Sequence, residues 1–246
     1  VTDQTRQPTA RPVSAGAEAE LGVTYTVHEH GEIELVDYLG DDHTVARAAR
    51  TSYQRSAGKD EEADRKLIRR LWVDRHSSPF EMVALTFRVR LPIFVMRQHV
   101  RHRTASLNEW SFRYTECPEL FYVPAVDDVR RQHSSNKQMS GAPLDEGIAD
   151  KARALIDGMN HEAFANYKKL IELGVAREQA RVVLPVSAYT QIVWSIDMRN
   201  LLHYLRLRQA PDAQKEIRDY ADIMAEIVAR GWPMIWEAYK ADESKA

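Results

Sequence analysis

The chain has 246 residues, 44% of them hydrophobic, and 34 Lys and Arg stand against 36 Asp and Glu for a formal net charge of -2. That supplies one large core and excludes the basic surplus of a general nucleic-acid binder, so strong positive potential has to be local. A single cysteine, Cys117, excludes an internal disulfide framework and a Cys-based zinc site, and no apolar run reaches the roughly 20 residues that span a bilayer.

Residues 1 to 22 hold much Thr, Pro, Ala, Gln and Glu and few large apolar side chains, and a mobile tail is expected because burial cannot offset the entropy of ordering. The tail lacks the charged-then-apolar layout of a signal peptide, which points to a cytoplasmic protein. Val23 to Tyr38 carries short β-branched stretches around His30-Gly31 and predicts a strand pair. Asp41-Asp42 can cap a helix to about Tyr53. Residues 60 to 75 repeat Leu67, Ile68, Leu71 and Trp72 at helical spacing, ending before His76. Ala84 to Leu91 alternates Leu85, Phe87, Val89 and Leu91 with polar residues, the period of a half-buried strand. Pro92 suits the first turn of a new helix, on which Arg97 and Arg101, and Gln98 and His102, fall one turn apart.

Residues 101 to 114 read Arg-His-Arg-Thr-Ala-Ser-Leu-Asn-Glu-Trp-Ser-Phe-Arg-Tyr. Arg101, Arg103 and Arg113 keep their protons at any working pH and present donor forks suited to phosphate or carboxylate, with Gln98 able to join them. An extended backbone after His102 would set Glu109, Ser111 and Arg113 on one face and Trp110, Phe112 and Tyr114 on the other. The plain alternative is a solvated edge strand with its own ion pairs.

Residues 127 to 147 are polar and predict a surface loop. A long helix follows from about Asp150 to Leu173, stopped by Gly174, then a segment from Arg177 to Leu184 stopped by Pro185. Asp197 can cap a helix over Met198 to Arg208, with Leu201, Leu202 and Leu205 as its buried stripe and Arg199 and His203 elsewhere. A last helical region runs from Pro211 to Arg230. His99 with His102, and His28 with His30, are poor metal pairs because no thiolate or carboxylate cluster completes a set, so no metal is expected. None of the ten glycines forms Gly-x-Gly, so the Rossmann fingerprint is absent and phosphates have to be met by arginine, hydroxyl and backbone groups.

The run Arg101-His102-Arg103, with Ser106, Asn108, Glu109, Ser111, Arg113 and Tyr114 behind it, closely resembles the signature of the flavin-dependent thymidylate synthases. Further matching pieces are His76 to Glu81, Ala180 to Pro185 and Leu201 to Arg208, so the resemblance runs from about Val23 to Tyr239. It implies an α/β (α+β) fold: one domain over residues 23 to 240, a mixed or antiparallel sheet flanked by long helices, and a short tail from 241 to 246. It also implies a homotetramer with active sites shared between subunits. The implied reaction is reductive methylation of dUMP to dTMP, with 5,10-methylenetetrahydrofolate as carbon donor, FAD as hydride carrier and NADPH to reload it.

By the same resemblance, Gln98, Arg101, Glu109, Ser111, Phe112, Arg113, Arg181 and Arg208 would bind dUMP. Ser52, Ser78, Glu81, Arg101, His102, Arg103, Asn108, Glu109, Arg199 and His203 would face FAD. Arg208 and His76 would carry the catalytic roles, at the pyrimidine and beside the flavin and folate. Asp197 and Asp212 depart from residues common in relatives, which leaves flavin contacts there open, with Asp197 read first as a cap. Cys117 is expected to be a bystander, its thiol pKa raised by Glu116, and no side chain is expected to attack the substrate. Two rival readings are a flavoprotein that only oxidises NADPH and a non-catalytic nucleotide or RNA-binding module.

Overall fold

The computed structural model describes residues 11–51, 60–137 and 139–243. In chain order the elements are α1 (Ala15–Glu20), β1 (Thr24–Val27), β2 (Gly31–Leu39), α2 (Asp42–Thr51), α3 (Glu61–Val73), β3 (Ala84–Pro92), α4 (Ile93–His99), β4 (Ala105–Glu109), β5 (Arg130–Gln132) and β6 (Ser140–Pro143). They continue with α5 (Glu146–Glu172), α6 (Arg177–Ala180), β7 (Tyr189–Asp197), α7 (Met198–Arg208), α8 (Lys215–Gly231) and α9 (Pro233–Glu243). Five strands form one sheet in the order β1-β2-β3-β7-β4, and every pairing in it is antiparallel.

The alternation in β3 puts Leu85, Phe87, Val89 and Leu91 fully inside, facing Ile33 and Leu35 of β2 and Ile192, Trp194 and Ile196 of β7. Against this face α7 and α8 lay Leu201, Leu202, Leu205, Ile217, Tyr220 and Met224. Each such side chain contributes about 1.5–3 kcal/mol when withdrawn from water. The opposite face is polar, with the cross-strand ion pairs Arg88 with Glu34 and Arg90 with Glu32. A second, smaller core gathers Phe112, Cys117, Phe121 and Tyr167 around α5. No described helix is long and apolar enough to cross a membrane.

The strand pair, the helix beginning at Asp42, the helix of residues 60 to 75, strand β3, the long helix and the helix capped by Asp197 stand where the sequence predicts them. Several expectations need correction. Within the supposed tail, Ser14 caps α1, Ala17 is fully buried and Glu20 pairs with Arg230 at 2.5 Å, so local capping and one ion pair dock what composition marked as mobile. Residues 1–10, and the end of the 42-to-53 helix beyond Thr51, lie outside the described residues. The 127-to-147 loop contains the β5-β6 ribbon, and α9 extends through Glu243 into the supposed C-terminal tail. Helix α4 stops at His99, so Arg101 and His102 lie on the turn behind it, and the extended backbone ends at Glu109. Residues 112 to 114 form a turn, so the expected two-faced alternation stops short of them. Strand β7, which lies between β3 and β4, is not among the elements predicted from the sequence.

Candidate active site

Helix α7 is built to aim its last turn. Asp197 accepts the Asn200 N–H at 3.0 Å at the start, and the Leu201, Leu202 and Leu205 stripe fixes the roll. Arg208 then meets the turn behind α4. Its Nε donates to Nε2 of His102 at 3.0 Å and its Nη2 to the Gln98 carbonyl at 3.0 Å, leaving Nη1 outside both bonds. His102 therefore accepts through Nε2 and carries its proton on Nδ1. Burial first, then the Arg208 and His203 charges, push its pKa down to about 4. The His102 ring lies edge-on to Tyr204 at 4.7 Å, and the Tyr204 hydroxyl lies 3.2 Å from Nδ1 of His99. His99 is fully buried against Trp194 at 4.2 Å, and burial, with smaller effects of His102 and Arg208, pushes it down to about 3.

Edge strand β4 delivers a second group. Glu109 accepts the buried Thr190 hydroxyl at 2.9 Å from β7. Immediately beyond, the chain turns: Ser111 Oγ accepts the Arg113 N–H at 3.3 Å and Phe112 enters the smaller core. A cleft of about 390 Å³ is lined by Arg97, Glu109, Ser111, Phe112 and Arg181. Arg113 pairs with Glu178 at 3.3 Å and is not among the lining residues. Gln98 donates to Gln214 at 2.5 Å.

His76 is placed by the end of α3. Arg75 takes φ 60, its N–H bonds to the Trp72 carbonyl at 3.1 Å, and the His76 N–H reaches the Leu71 carbonyl at 2.9 Å. This is the paired bonding of a Schellman stop, with arginine in the left-handed position that α5 gives to Gly174. A small cleft of about 120 Å³ follows, lined by His76, Ser77, Arg199, Leu202 and His203. Arg199 is steadied by a 3.1 Å bond to Asn200, and His203 has its pKa lowered by burial and then by Arg206 and Arg199. Ser78 and Glu81 are exposed on the short helical turn Ser78–Met82.

Arg101, Arg103 and Asn108 are exposed on the turn and edge strand. Among the described residues, neither Arg101 nor Arg103 has a carboxylate partner, unlike Arg88, Arg90 and Arg230. Ser52 lies outside the described residues. One chain thus brings Glu109, Ser111, Phe112 and Arg181 into one cleft and His76, Arg199 and His203 into another, with Arg208, His102 and Gln98 in a separate cluster. Asp197 is a cap, and Asp212 is exposed in the connection between α7 and α8.

Sequence reasoning missed the residues that hold these groups: Thr190 under Glu109, Tyr204 and His99 beside His102, Gln214 on Gln98 and Glu178 on Arg113. Alternation of Ile192, Trp194 and Ile196 was the available signal for β7, and hence for Thr190. For Cys117 the direction of the pKa shift stands but the cause is corrected. Burial pushes the thiol up to about 12, while Glu116 is engaged by Lys168 at 2.8 Å.

Arginine-lined clefts on an antiparallel α/β scaffold suit a protein that meets an anionic ligand with side chains. The profile of the family described as "Thymidylate synthase complementing protein" matches residues 34–234. A flavin-dependent thymidylate synthase of Thermus thermophilus is 48% identical over 219 residues, 89% of this chain and 78% of that one. One from Gluconobacter oxydans is 44% identical over 237 residues, covering 95% and 78%. Among solved structures, the UMP/dUMP methylase PolB from Streptomyces cacaoi, bound with 5-Br dUMP, superposes with a TM-score of 0.80 at 35% identity, covering 88% of this chain and 97% of that one. The chain belongs to the flavin-dependent thymidylate synthase family. It is a methyltransferase that forms dTMP from dUMP, dependent on FAD and a folate carbon donor.

Proposed function

We propose that the Arg208 cluster is the centre at which the dUMP pyrimidine is methylated. The observation that carries this reading is the fixed guanidinium, held at Nε by a neutral His102 and at Nη2 by the Gln98 carbonyl. A cation fixed in this way stabilises negative charge that develops on the uracil ring, without reorganising as the reaction proceeds. Each charge-assisted hydrogen bond it offers contributes about 1.5–3 kcal/mol. Gln98 and Glu109 line the nucleotide, and Ser111, Arg113 and Arg181 take its phosphate, with Phe112 as the apolar floor of the cleft. No side chain attacks the ring: Cys117 is buried and protonated, and Ser111 Oγ has no base against it among the described residues.

Arg101, Arg103, Asn108, Ser78 and Glu81 hold FAD, with Ser52, Arg199, His102 and His203 completing its surroundings and His76 beside the flavin and folate. Two guanidiniums without carboxylate partners among the described residues fit a diphosphate-bearing group. FAD supplies the hydride that reduces the transferred carbon, and NADPH restores it. The assembly is a cytoplasmic homotetramer with shared active sites. Supporting this, β4 is an edge strand with Leu107 partly exposed, and α5 exposes Ile148, Leu155 and Met159.

Anaerobic turnover with FAD, NADPH, dUMP and methylenetetrahydrofolate, assayed for thymidylate, tests the reading. Thymidylate formation supports it. Flavin reduction without thymidylate would leave an NADPH-oxidising flavoprotein and withdraw the nucleotide and folate assignments.

A further inference from the structure

A wide concave surface lies next to the His76 cleft, and Arg208 is not among its lining residues. It encloses about 760 Å³ and shares Trp72, Arg75, Arg206 and Tyr239 with that smaller cleft. Its remaining walls include Arg218 and Lys240 as cations and Asp222 and Asp242 as acids. Both acids are already engaged, Asp222 by the Gln209 amide at 2.8 Å and Asp242 by Arg75 at 2.9 Å. Arg206 has His203 Nδ1 at 3.4 Å and Arg218 donates to the Pro211 carbonyl at 3.4 Å, and among the described residues neither forms an ion pair with a carboxylate. On a chain of net charge -2, this cleft is locally cationic.

The backbone adds an independent observation. Arg75 occupies the left-handed position that ends α3, where glycine would be free of strain and a residue with a Cβ is not. What its side chain reaches is Asp242 at 2.9 Å, through Nη1, an ion pair that holds the arginine at the junction of the two clefts with Nε and Nη2 outside that pair.

We propose that the Arg75, Arg206, Arg218 and Lys240 cleft is a subsite for the pendant anionic groups of a co-substrate whose reacting end lies by His76. This rests on the placement of His76 beside the folate and flavin. The shared chemistry is a chain of carboxylates or a phosphate displaced from the reacting ring, and two co-substrates carry it: the glutamyl tail of the folate and the 2′-phosphate of NADPH. Long-range attraction of this kind gains with each added anionic group and weakens as salt rises.

Arg75→Gly gives a variant suited to the test, because it removes the charge and supplies the residue the turn prefers. Arg218→Ser in combination removes a second cation from an exposed contact. Calorimetric titration of the flavin-loaded protein with mono- and pentaglutamyl tetrahydrofolate, alongside KM for NADPH and NADH, reads the two sources separately. Pentaglutamate binding weakened about fivefold in Arg75→Gly, and further in the double variant, with the monoglutamate changed less than twofold, supports the subsite with the folate tail as its guest. A rise in KM for NADPH but not NADH supports it with the phosphate as guest. Unchanged discrimination in both pairs, in variants that fold and load flavin, overturns the subsite alone. Wild type that neither binds folate nor forms thymidylate overturns the functional reading and this inference together.

Discussion

Arg208 donates through Nε to a histidine nitrogen, Nε2 of His102, at 3.0 Å, so the histidine beside the arginine has to be neutral. The pair works in both directions: the arginine charge helps hold His102 uncharged, and the imidazole orients the guanidinium. Arg208→Ala is expected to lower the thymidylate rate by about a hundredfold or more, as loss of a preorganised electrostatic donor does. Arg208→Lys should recover little, since an ammonium lacks the planar fork that meets His102 and the Gln98 carbonyl together. Both variants should unfold within a few degrees of wild type. A rate loss matched by a large fall in melting temperature would make Arg208 structural instead.

Acid should expose the same cluster. His102 and His99 have folded pKa values pushed down to about 4 and about 3, below the ordinary 6.5, so between pH 6.5 and those values the unfolded chain binds more protons and stability falls as pH falls. Asp42 works the other way. Burial raises its carboxyl to about 6 although the Met234 and Ile235 N–H groups donate to it, so its destabilising effect is greatest above pH 6 and is relieved toward pH 4. Two histidines that lose stability with acid, against one carboxyl that gains it, leave stability falling with pH on balance near pH 5. Urea unfolding at pH 7, 6 and 5 should show it, and His99→Phe with Tyr204→Phe should flatten it. That double variant removes both partners of the 3.2 Å contact and should be nearly neutral at pH 7, whereas Tyr204→Phe alone strands a buried nitrogen and costs about 1–3 kcal/mol.

Much of the helical frame was legible because local rules fix it: Asp197 caps α7, Gly174 stops α5 and the Leu85 to Leu91 alternation makes β3. The motif residues were legible for their chemistry. What holds them was not, because those partners lie far off in sequence: Thr190 meets Glu109 across 81 positions, and Tyr204 meets His99 across 105. Strand β7 escaped because Tyr189 is buried out of phase with Ile192, Trp194 and Ile196, and Thr190, which is in phase, is polar. Helix α1 escaped because its anchors, the Ser14 bond to the Gly231 carbonyl and the Glu20 pair with Arg230, lie more than 200 positions away, which composition cannot register.

Thr190 should act on the nucleotide through Glu109. Thr190→Val keeps the β-branched shape that suits β7 and removes the hydroxyl that donates at 2.9 Å. The expected result is a KM for dUMP raised about fivefold with a smaller change in kcat. Thr190→Ser should restore it. An unchanged KM would mean that Glu109 needs no such support.

Cys117 should prove chemically quiet. Its thiol is buried, pushed up to about 12, and lies 3.3 Å from the Pro118 carbonyl. Native protein at pH 8 should resist a thiol reagent that labels the unfolded chain at once. Cys117→Ala should form thymidylate within about twofold of wild type, since nothing at the reacting centre is altered. Loss of activity in a folded, flavin-loaded variant would make the thiol a participant.

The first helix should matter for stability despite its six residues. Ser14 Oγ accepts the Ala17 N–H at 3.2 Å and donates to the Gly231 carbonyl at 2.5 Å, which draws α1 onto the end of α8. There Gly16 lies so close that an added Cβ would stand 2.0 Å from the Arg230 carbonyl oxygen, a backbone atom that cannot swing aside. Gly16→Ala should therefore push α1 off its seat, breaking the Glu20 to Arg230 pair and exposing Ala17. Overpacking of this kind costs about 1–3 kcal/mol, against a helix-propensity gain below about 1 kcal/mol. Thermal unfolding should show a lower melting temperature for Gly16→Ala, while Arg230→Ala removes the ion pair without the clash and should cost less. If both variants melt with wild type, the docking of α1 adds nothing to the stability of the folded chain.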